Sequence, residues 1–349
     1  MTQSTRSWTA GLGIKAVATL LLSTLLVSCG SSKKYDEFIP TRILSIGDAM
    51  SYMSFDSTTG APQNLLTAGD PNNGNNTTHW LWTYAGAYGL SNMGRPGQAG
   101  KNVVFYNNNT DYPTSPTSDK TLDPNRTSLG TLAVIRAQAN RLPSPQVGDL
   151  VVLSIGMGDI FARADALGNT STDNKDSVAR QLGLDYINLA DSLYQRGFKH
   201  VLIVNSIDFS TSPYALKQSQ TIPAYANNLK VLTEALNIGV NVNCNGGCTS
   251  SLESKPYPSR AEGVWRTDVY NYMYNMAIRT STYPQFNTTQ PVCYTPPAAP
   301  VQTCINKPLY DGGNPSLPYY YSGDLFTTPV MHTYVGNYMY TISRGFSGF

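Results

Sequence analysis

Charged side chains are scarce in this chain, because Asp, Glu, Lys and Arg make up only 13% of its 349 residues. The formal net charge of +2 comes entirely from the segment 1–28, which contains Arg6 and Lys15 and no acidic residue. The rest of the chain is therefore formally neutral and lacks the basic surface that nucleic-acid binding requires. We expect no nucleic-acid partner.

Long apolar runs are also missing, since the run Ala16–Val27 is too short for a comfortable membrane span. A basic start, this run and the small residues after it predict a secretory signal over 1–28. Leu26-Val27-Ser28-Cys29 resembles a bacterial lipobox, so we expect cleavage before Cys29, acylation of that cysteine and a lipidated tether over 29–40. Gly30 after the cysteine resembles lipoproteins of the outer membrane. The alternative is an ordinary signal peptide with a chance cysteine.

Cysteine is also rare, with five residues in all. Apart from Cys29, the cysteines are Cys244, Cys248, Cys293 and Cys304. An even number in an exported chain argues for disulfides, and proximity favours 244 with 248 and 293 with 304. A four-cysteine metal site is the less favoured alternative, because zinc ligands prefer Cys-x2-Cys spacing and a reducing compartment. We expect neither a metal nor a cofactor.

Short apolar runs alternate with helical patterns along the remaining sequence. The runs predict strands at 42–46, 102–106, 150–155 and 200–205 and a last strand at 264–270 that runs into a short helix, and the helical patterns fall at 80–90, 132–142, 176–197 and 224–236. Such alternation predicts a mostly parallel sheet covered on both faces. We therefore expect one three-layer α/β/α domain over 41–349, with a surface loop at 54–78 and a loop-rich, cysteine-containing elaboration over 239–320.

The first strand ends in a recognisable motif. Gly47-Asp48-Ala49-Met50-Ser51 resembles the first block of the SGNH (GDSL) hydrolases, Gly-Asp-Ser-Leu-Ser. Four further segments resemble later features of the family, above all its bacterial secreted lipase and esterase branch, in the same order: Gly148–Phe161, Asp208–Tyr214, Tyr283–Cys293 and Tyr321–Pro329. The resemblance implies the SGNH fold, with long disulfide-bearing loops, and hydrolysis of carboxylic esters at the carboxyl ends of the strands.

The residues that would perform this chemistry are replaced. Ala49 stands at the serine nucleophile, Gly158 at the asparagine donor, and an ungapped alignment of the last block puts Gly323 at the aspartate and Phe326 at the histidine. Acyl transfer needs a nucleophile, a base and oxyanion donors. None of the three histidines follows an aspartate by three residues. His332 is the remaining candidate base, with Ser51 as the fallback nucleophile.

These substitutions predict a catalytically degenerate, pseudo-esterase lipoprotein of the bacterial envelope. It would be anchored in the membrane through Cys29 and would bind an unknown envelope ligand or protein partner. We expect the binding crevice to be formed by residues that follow the first and third of the long apolar strands and by the last histidine, namely Gly47, Asp48, Gly156, Met157, Asp159 and His332. The alternatives are an active GDSL esterase or lipase with a non-standard serine, and a structural envelope component.

Overall fold

The central sheet is parallel, and its strands are not in chain order. The structure is a computed structural model that describes residues 38–63, 78–108, 126–241, 263–278 and 320–344. Its strands are β1 (Arg42–Gly47), β2 (Ser54–Phe55), β3 (Pro62–Gln63), β4 (Met93–Gly94), β5 (Val103–Phe105), β6 (Asp149–Ser154), β7 (Val201–Val204) and β8 (Val264–Thr267). Within these ranges, six strands form one parallel sheet in the order β4-β5-β1-β6-β7-β8, and β2 pairs with β3 in a separate antiparallel ribbon.

This strand order creates a natural place for a site. The five strands β5-β1-β6-β7-β8 follow the 2-1-3-4-5 arrangement of doubly wound sheets. β5 pairs with one edge of β1, and β6, which comes later in the chain, pairs with the other edge of β1. In such sheets, ligands bind outside the carboxyl ends of the strands at this point of reversal. The crevice is therefore expected next to the ends of β1 and β6.

β1 and β6 are paired along their full length, from Arg42 opposite Asp149 to Gly47 opposite Ser154. At the amino end, the Arg42 guanidinium donates two hydrogen bonds to the Asp149 carboxylate, at 2.8 and 2.7 Å. At the carboxyl end, Gly47 has a φ of 147°, and a Cβ there would lie 2.6 Å from the Ser154 carbonyl oxygen. Glycine is therefore required at position 47 for the two strand ends to meet.

Helices flank the sheet. In the described ranges they are α1 (Trp80–Gly86), α2 (Leu132–Asn140), α3 (Met157–Leu167), α4 (Ser177–Gln195), α5 (Pro213–Gln218), α6 (Tyr225–Asn241), α7 (Val269–Ile278) and α8 (Pro329–Ser343). α4 and α3 both pack against α6, and α1 packs against α8. Short 3-10 helices occupy Ala49–Ser51 and Thr127–Leu129. Among the described residues, no helix combines the length and apolar character needed to cross a bilayer.

The predicted α/β class is confirmed, with a parallel sheet flanked by helices, an arrangement consistent with three layers. The predicted strands and helices match observed elements to within a few residues at most of their ends. The surface loop predicted at 54–78 is wrong at its start, because Phe55 is only 1% exposed and packs against Phe105, with 6.1 Å between ring centroids. α6 also continues beyond Gly239 to Asn241, where a loop-rich region was expected.

Candidate functional site

A cleft lies at the carboxyl ends of β1, β6 and β7. Its walls combine a few polar groups with a larger apolar set: Asp48, Met50, Trp80, Ser154, Ile155, Val204, Asn205, Ser206, Ile207, Phe209, Val269, Met273, Thr327, His332 and Val335. The cleft has a volume of about 20 Å³. A volume of this size accommodates one or two groups as large as water. The cleft therefore admits the end of a molecule more readily than a whole one.

Asp48 is the most strongly held polar residue of the cleft. Its Oδ1 accepts hydrogen bonds from the Ser154 hydroxyl at 2.7 Å and from the backbone N–H of Met50 at 3.2 Å. Its Oδ2 accepts from the backbone N–H of Met157, the first residue of α3, at 3.0 Å. Burial raises the pKa of Asp48 to about 6, although these three hydrogen bonds favour the charged form. The carboxylate thus joins two helix amino-termini and is ionised at neutral pH.

Ala49, at the position predicted for the nucleophile, and Ser51, the predicted fallback, both have structural roles. Ala49 is 2% exposed, and its methyl group belongs to the hydrophobic core. The Ser51 hydroxyl donates to the backbone carbonyl of Asp48 at 3.1 Å and accepts from Nδ2 of Asn107 at 2.5 Å. Ser51 is fully buried and is not among the residues that line the cleft. The structure therefore does not bring Ser51 into the cleft with His332.

His332 lines the cleft from α8, but one ring nitrogen is already used. Its Nδ1 accepts a hydrogen bond at 3.3 Å from the backbone N–H of Trp80, the first residue of α1. His79 caps the same helix, because its own Nδ1 accepts from the N–H of Leu81 at 3.1 Å. The two imidazoles stack with 5.3 Å between centroids. Burial lowers the pKa of His332 to about 3, so the ring is neutral at physiological pH.

The hydrogen bond from Trp80 fixes which nitrogen of His332 carries the proton. A neutral imidazole has one N–H and one bare nitrogen, and Nδ1 must be bare in order to accept. Nε2 therefore carries the proton and can only donate. A general base in acyl transfer needs the opposite tautomer, with Nδ1–H held by a carboxylate and Nε2 free to accept. In this arrangement His332 is a hydrogen-bond donor and a helix cap.

This capping role predicts a distinct pH dependence for the variant His332→Asn, whose amide oxygen keeps an acceptor for the Trp80 N–H but does not titrate. Because the pKa of His332 is depressed in the folded protein, its contribution to stability is complete above pH 6.5 and is lost as the pH falls towards 3. Relative to His332→Asn, the wild type should lose about 3 kcal/mol between pH 6.5 and 4, at 1.36 kcal/mol per pH unit. Urea unfolding across this range measures the difference.

The control for that experiment is His332→Ala, which removes the acceptor altogether. It leaves the Trp80 N–H unpaired in the interior and should cost about 2–4 kcal/mol at pH 7. Equal stabilities of the Ala and Asn variants at pH 7, or parallel pH profiles of the Asn variant and the wild type, would contradict the assigned cap.

The position aligned with the asparagine donor is closed by backbone. A Cβ on Gly158 would lie 2.7 Å from the carbonyl carbon of Gly130 and 2.7 Å from the nitrogen of Thr131. Asp159 accepts from the N–H of Leu132 at 2.9 Å and from the Tyr186 hydroxyl at 2.5 Å. Burial raises the pKa of Asp159 to about 6. The segment before α2 thus packs directly on α3 at Gly158 and leaves no space there for a side chain.

The last of the family-like segments, Tyr321–Pro329, contains a turn that is closed by backbone hydrogen bonds. The N–H of Ser322 donates to the carbonyl of Phe326 at 2.7 Å, and Tyr321 bridges to Thr327. Gly323 and Phe326 are buried, and neither lines the cleft, whereas the neighbouring Thr327 does. Of the residues predicted for the crevice, Asp48 and His332 line the cleft. The lining does not include Gly47, Gly156, Met157 or Asp159.

Sequence reasoning missed the residues that follow β7. Asn205 and Ser206 come directly after the strand and line the cleft. The side chain of Asn237 on α6 holds this segment, accepting from the Ser206 N–H at 3.2 Å and donating to the Ser206 carbonyl at 2.8 Å. The sequence does contain a signal for Asn205 and Ser206, because a polar residue directly after a buried strand is the same pattern that indicates Asp48.

Several predictions concern residues outside the described ranges: the signal segment 1–28, residues 29–37 of the predicted tether 29–40, including Cys29, the segment Tyr283–Cys293 and the four cysteines Cys244, Cys248, Cys293 and Cys304. Within the described ranges, no group of three His, Cys, Asp or Glu side chains is placed to hold a metal ion. Comparison with protein-family models found no match for the chain, and no curated protein matches it in sequence.

Proposed function

We propose that this protein is an SGNH-hydrolase-like envelope lipoprotein that binds a ligand or partner at the cleft and does not hydrolyse esters. The observation that carries the proposal is the hydrogen bond from the Trp80 N–H to Nδ1 of His332, at 3.3 Å. This bond supports a neutral imidazole that donates from Nε2, so no other side chain is needed to explain why the ring is buried. A binding role uses the N–H at Nε2 of His332 as a donor. A hydrolase would need Nε2 without a proton, so that it could accept one from the nucleophile.

Two further features support loss of ester hydrolysis. Attack on a carbonyl requires a hydroxyl or thiol next to the base, and position 49 offers a buried methyl group instead. The developing oxyanion requires donors aimed at it, and the space at Gly158 is filled by the backbone of 130–131. Restoring one residue alone would therefore leave the other requirements unmet.

The cellular setting remains part of the same proposal. The lipobox-like Leu26-Val27-Ser28-Cys29 supports anchoring in the outer membrane through lipid on Cys29, with the domain that begins near residue 41 carried on a short tether. Binding at the cleft would then take place next to the membrane surface. A purely structural envelope role is the competing reading and would require no ligand at the cleft.

Ester hydrolysis tests the proposal directly. Purified protein should not turn over p-nitrophenyl butyrate above background and should not react with a fluorophosphonate probe. The variant Ala49→Ser should also stay within about twofold of background, because a serine hydroxyl alone has no base to accept its proton, whereas working enzymes accelerate such reactions by at least about 10⁶.

The opposite outcome is equally specific. Turnover by the wild type that disappears in Ser51→Ala would establish the active-esterase alternative, and probe labelling at Ser51 would identify its nucleophile. Full activity of Ala49→Ser would show that His332 can act as a base after all. The first result would overturn the proposed loss of ester hydrolysis, and activity of Ala49→Ser would overturn the donor role assigned to His332.

A further inference from the structure

One of the residues that line the cleft has a buried hydroxyl group without a partner among the described residues. Ser206 is only 3% exposed, and no group in the described ranges makes a hydrogen bond with its Oγ. Its backbone N–H and carbonyl are both hydrogen-bonded to the side chain of Asn237, which holds the main chain of this residue at the cleft. Burying a hydroxyl without a partner is unfavourable, which makes an external partner the natural explanation.

A second donor faces the same cleft. His332 lines it, and its neutral ring carries a proton on Nε2 because Nδ1 is used by Trp80. Among the other polar side chains of the cleft, Ser154 donates to Asp48, and the Asn205 amide donates to Asp268 and accepts from the N–H of Tyr270. The Ser206 hydroxyl and Nε2–H of His332 are two donors that a ligand in the cleft could use.

We propose that the cleft binds the oxygen-bearing end of a neutral ligand with an apolar chain, whose hydroxyl or carbonyl oxygen accepts hydrogen bonds from Ser206 and His332. This inference rests on the proposed binding function and names its ligand class. The oxygen of such an end group satisfies the orphan hydroxyl, which can also donate to or accept from an alcohol.

The remaining walls explain the apolar chain and the absence of charge. Most of the lining is aliphatic, aromatic or methionine, including Ile207, Phe209 and Val335. The space of about 20 Å³ admits an end group of one or two heavy atoms, and the methionines Met50 and Met273 can adapt to the chain behind it. The carboxylate of Asp48 lies in the same cleft, and its negative charge disfavours an anionic ligand such as a fatty acid carboxylate.

Four six- or seven-carbon probes separate these features: 1-hexanol and 2-heptanone carry a neutral oxygen, 1-chlorohexane carries none, and hexanoate is an anion. Titration calorimetry with the purified protein should show the two oxygenated neutral probes binding about tenfold more tightly than 1-chlorohexane. Hexanoate at pH 7.5 should be the weakest of the four probes.

Ser206→Ala is the decisive variant. It should weaken 1-hexanol and 2-heptanone about fivefold and leave 1-chlorohexane unchanged, because only the oxygenated probes use the hydroxyl. The unliganded variant should unfold at the same temperature as the wild type or about 1–2 °C higher, since the lost hydroxyl has no partner in the fold. Ser192→Ala, at an exposed position on α4, is the matched control and should change neither property.

Each contrary result has a definite meaning. Binding of 1-chlorohexane as tight as that of 2-heptanone, or equal affinities in the wild type and Ser206→Ala, would overturn the assignment of an oxygen-bearing ligand while leaving a non-hydrolytic cleft. Failure of all four probes to bind would overturn it as well. Ester turnover by the wild type is a separate failure, that of the proposed function, and is detected by the p-nitrophenyl butyrate assay.

Discussion

Replacing Gly158 by asparagine should destabilise the protein by about 3 kcal/mol, although it restores the residue type that the SGNH resemblance expects at this position. The new Cβ would lie 2.7 Å from backbone atoms of both Gly130 and Thr131. Backbone cannot rotate aside as the end of a flexible side chain can, so α3 and the segment before α2 must separate. Guanidinium chloride unfolding measures the loss.

Gly86→Asn is the matched control for this experiment. Gly86 also lies in a helix, α1, but a Cβ there meets no atom within 4 Å. Its replacement should be neutral or slightly stabilising, because glycine is a poor helix residue. A Gly158→Asn protein as stable as Gly86→Asn would show that the segment around Gly130 moves aside freely, and the donor position would then be open for catalysis in combination with Ala49→Ser.

Replacing Asp48 by alanine should cost about 3–4 kcal/mol at pH 7. The substitution leaves three buried donors without their acceptor: the N–H groups of Met50 and Met157 and the hydroxyl of Ser154. Each unpaired buried donor costs about 1–3 kcal/mol, and relief from burying a charge offsets part of the sum. The loss should appear as a lower denaturant midpoint with an unchanged slope, since the surface exposed on unfolding is the same.

Asp48→Asn tests the buried charge separately from the hydrogen bonds. Because the pKa of Asp48 is raised to about 6 in the folded protein, its contribution is complete below pH 3.8 and is lost as the pH rises through 6. Relative to Asp48→Asn, the wild type should therefore lose about 2 kcal/mol between pH 4 and 6.5, from a slope of at most 1.36 kcal/mol per pH unit. Parallel profiles of the two proteins would show that the carboxylate is not desolvated.

The sequence predicts the sheet well because its signals are local. β1, β6 and β7 are predominantly apolar, and glycine or a polar residue lies within two residues of the end of each strand, a pattern typical of buried parallel strands. The location of the site at the ends of these strands follows from the same pattern. Phe55 was misjudged because a single aromatic residue in a polar segment carries no periodicity, and its burial depends on Phe105, which lies in another strand.

The chemistry of the site depends on contacts between distant positions, which no local pattern contains. The bond that sets the tautomer of His332 joins residues 252 positions apart, and the atoms that close the space at Gly158 belong to Gly130 and Thr131. From the sequence, both residues could only be compared with a motif. Ser206 is different, because its place after β7 was visible and only its missing partner was not.

The position of Asp48 has a consequence for dissolved anions. The amino-terminus of a helix next to the end of a strand is where many α/β proteins take up phosphate, since exposed N–H groups there carry partial positive charge. In this protein the amino-terminus of α3 already holds a carboxylate from the chain itself, through the N–H of Met157. At neutral pH the Asp48 carboxylate therefore acts as a built-in counter-ion for this helix end, which leaves the amino-terminus of α3 unsuited to phosphate.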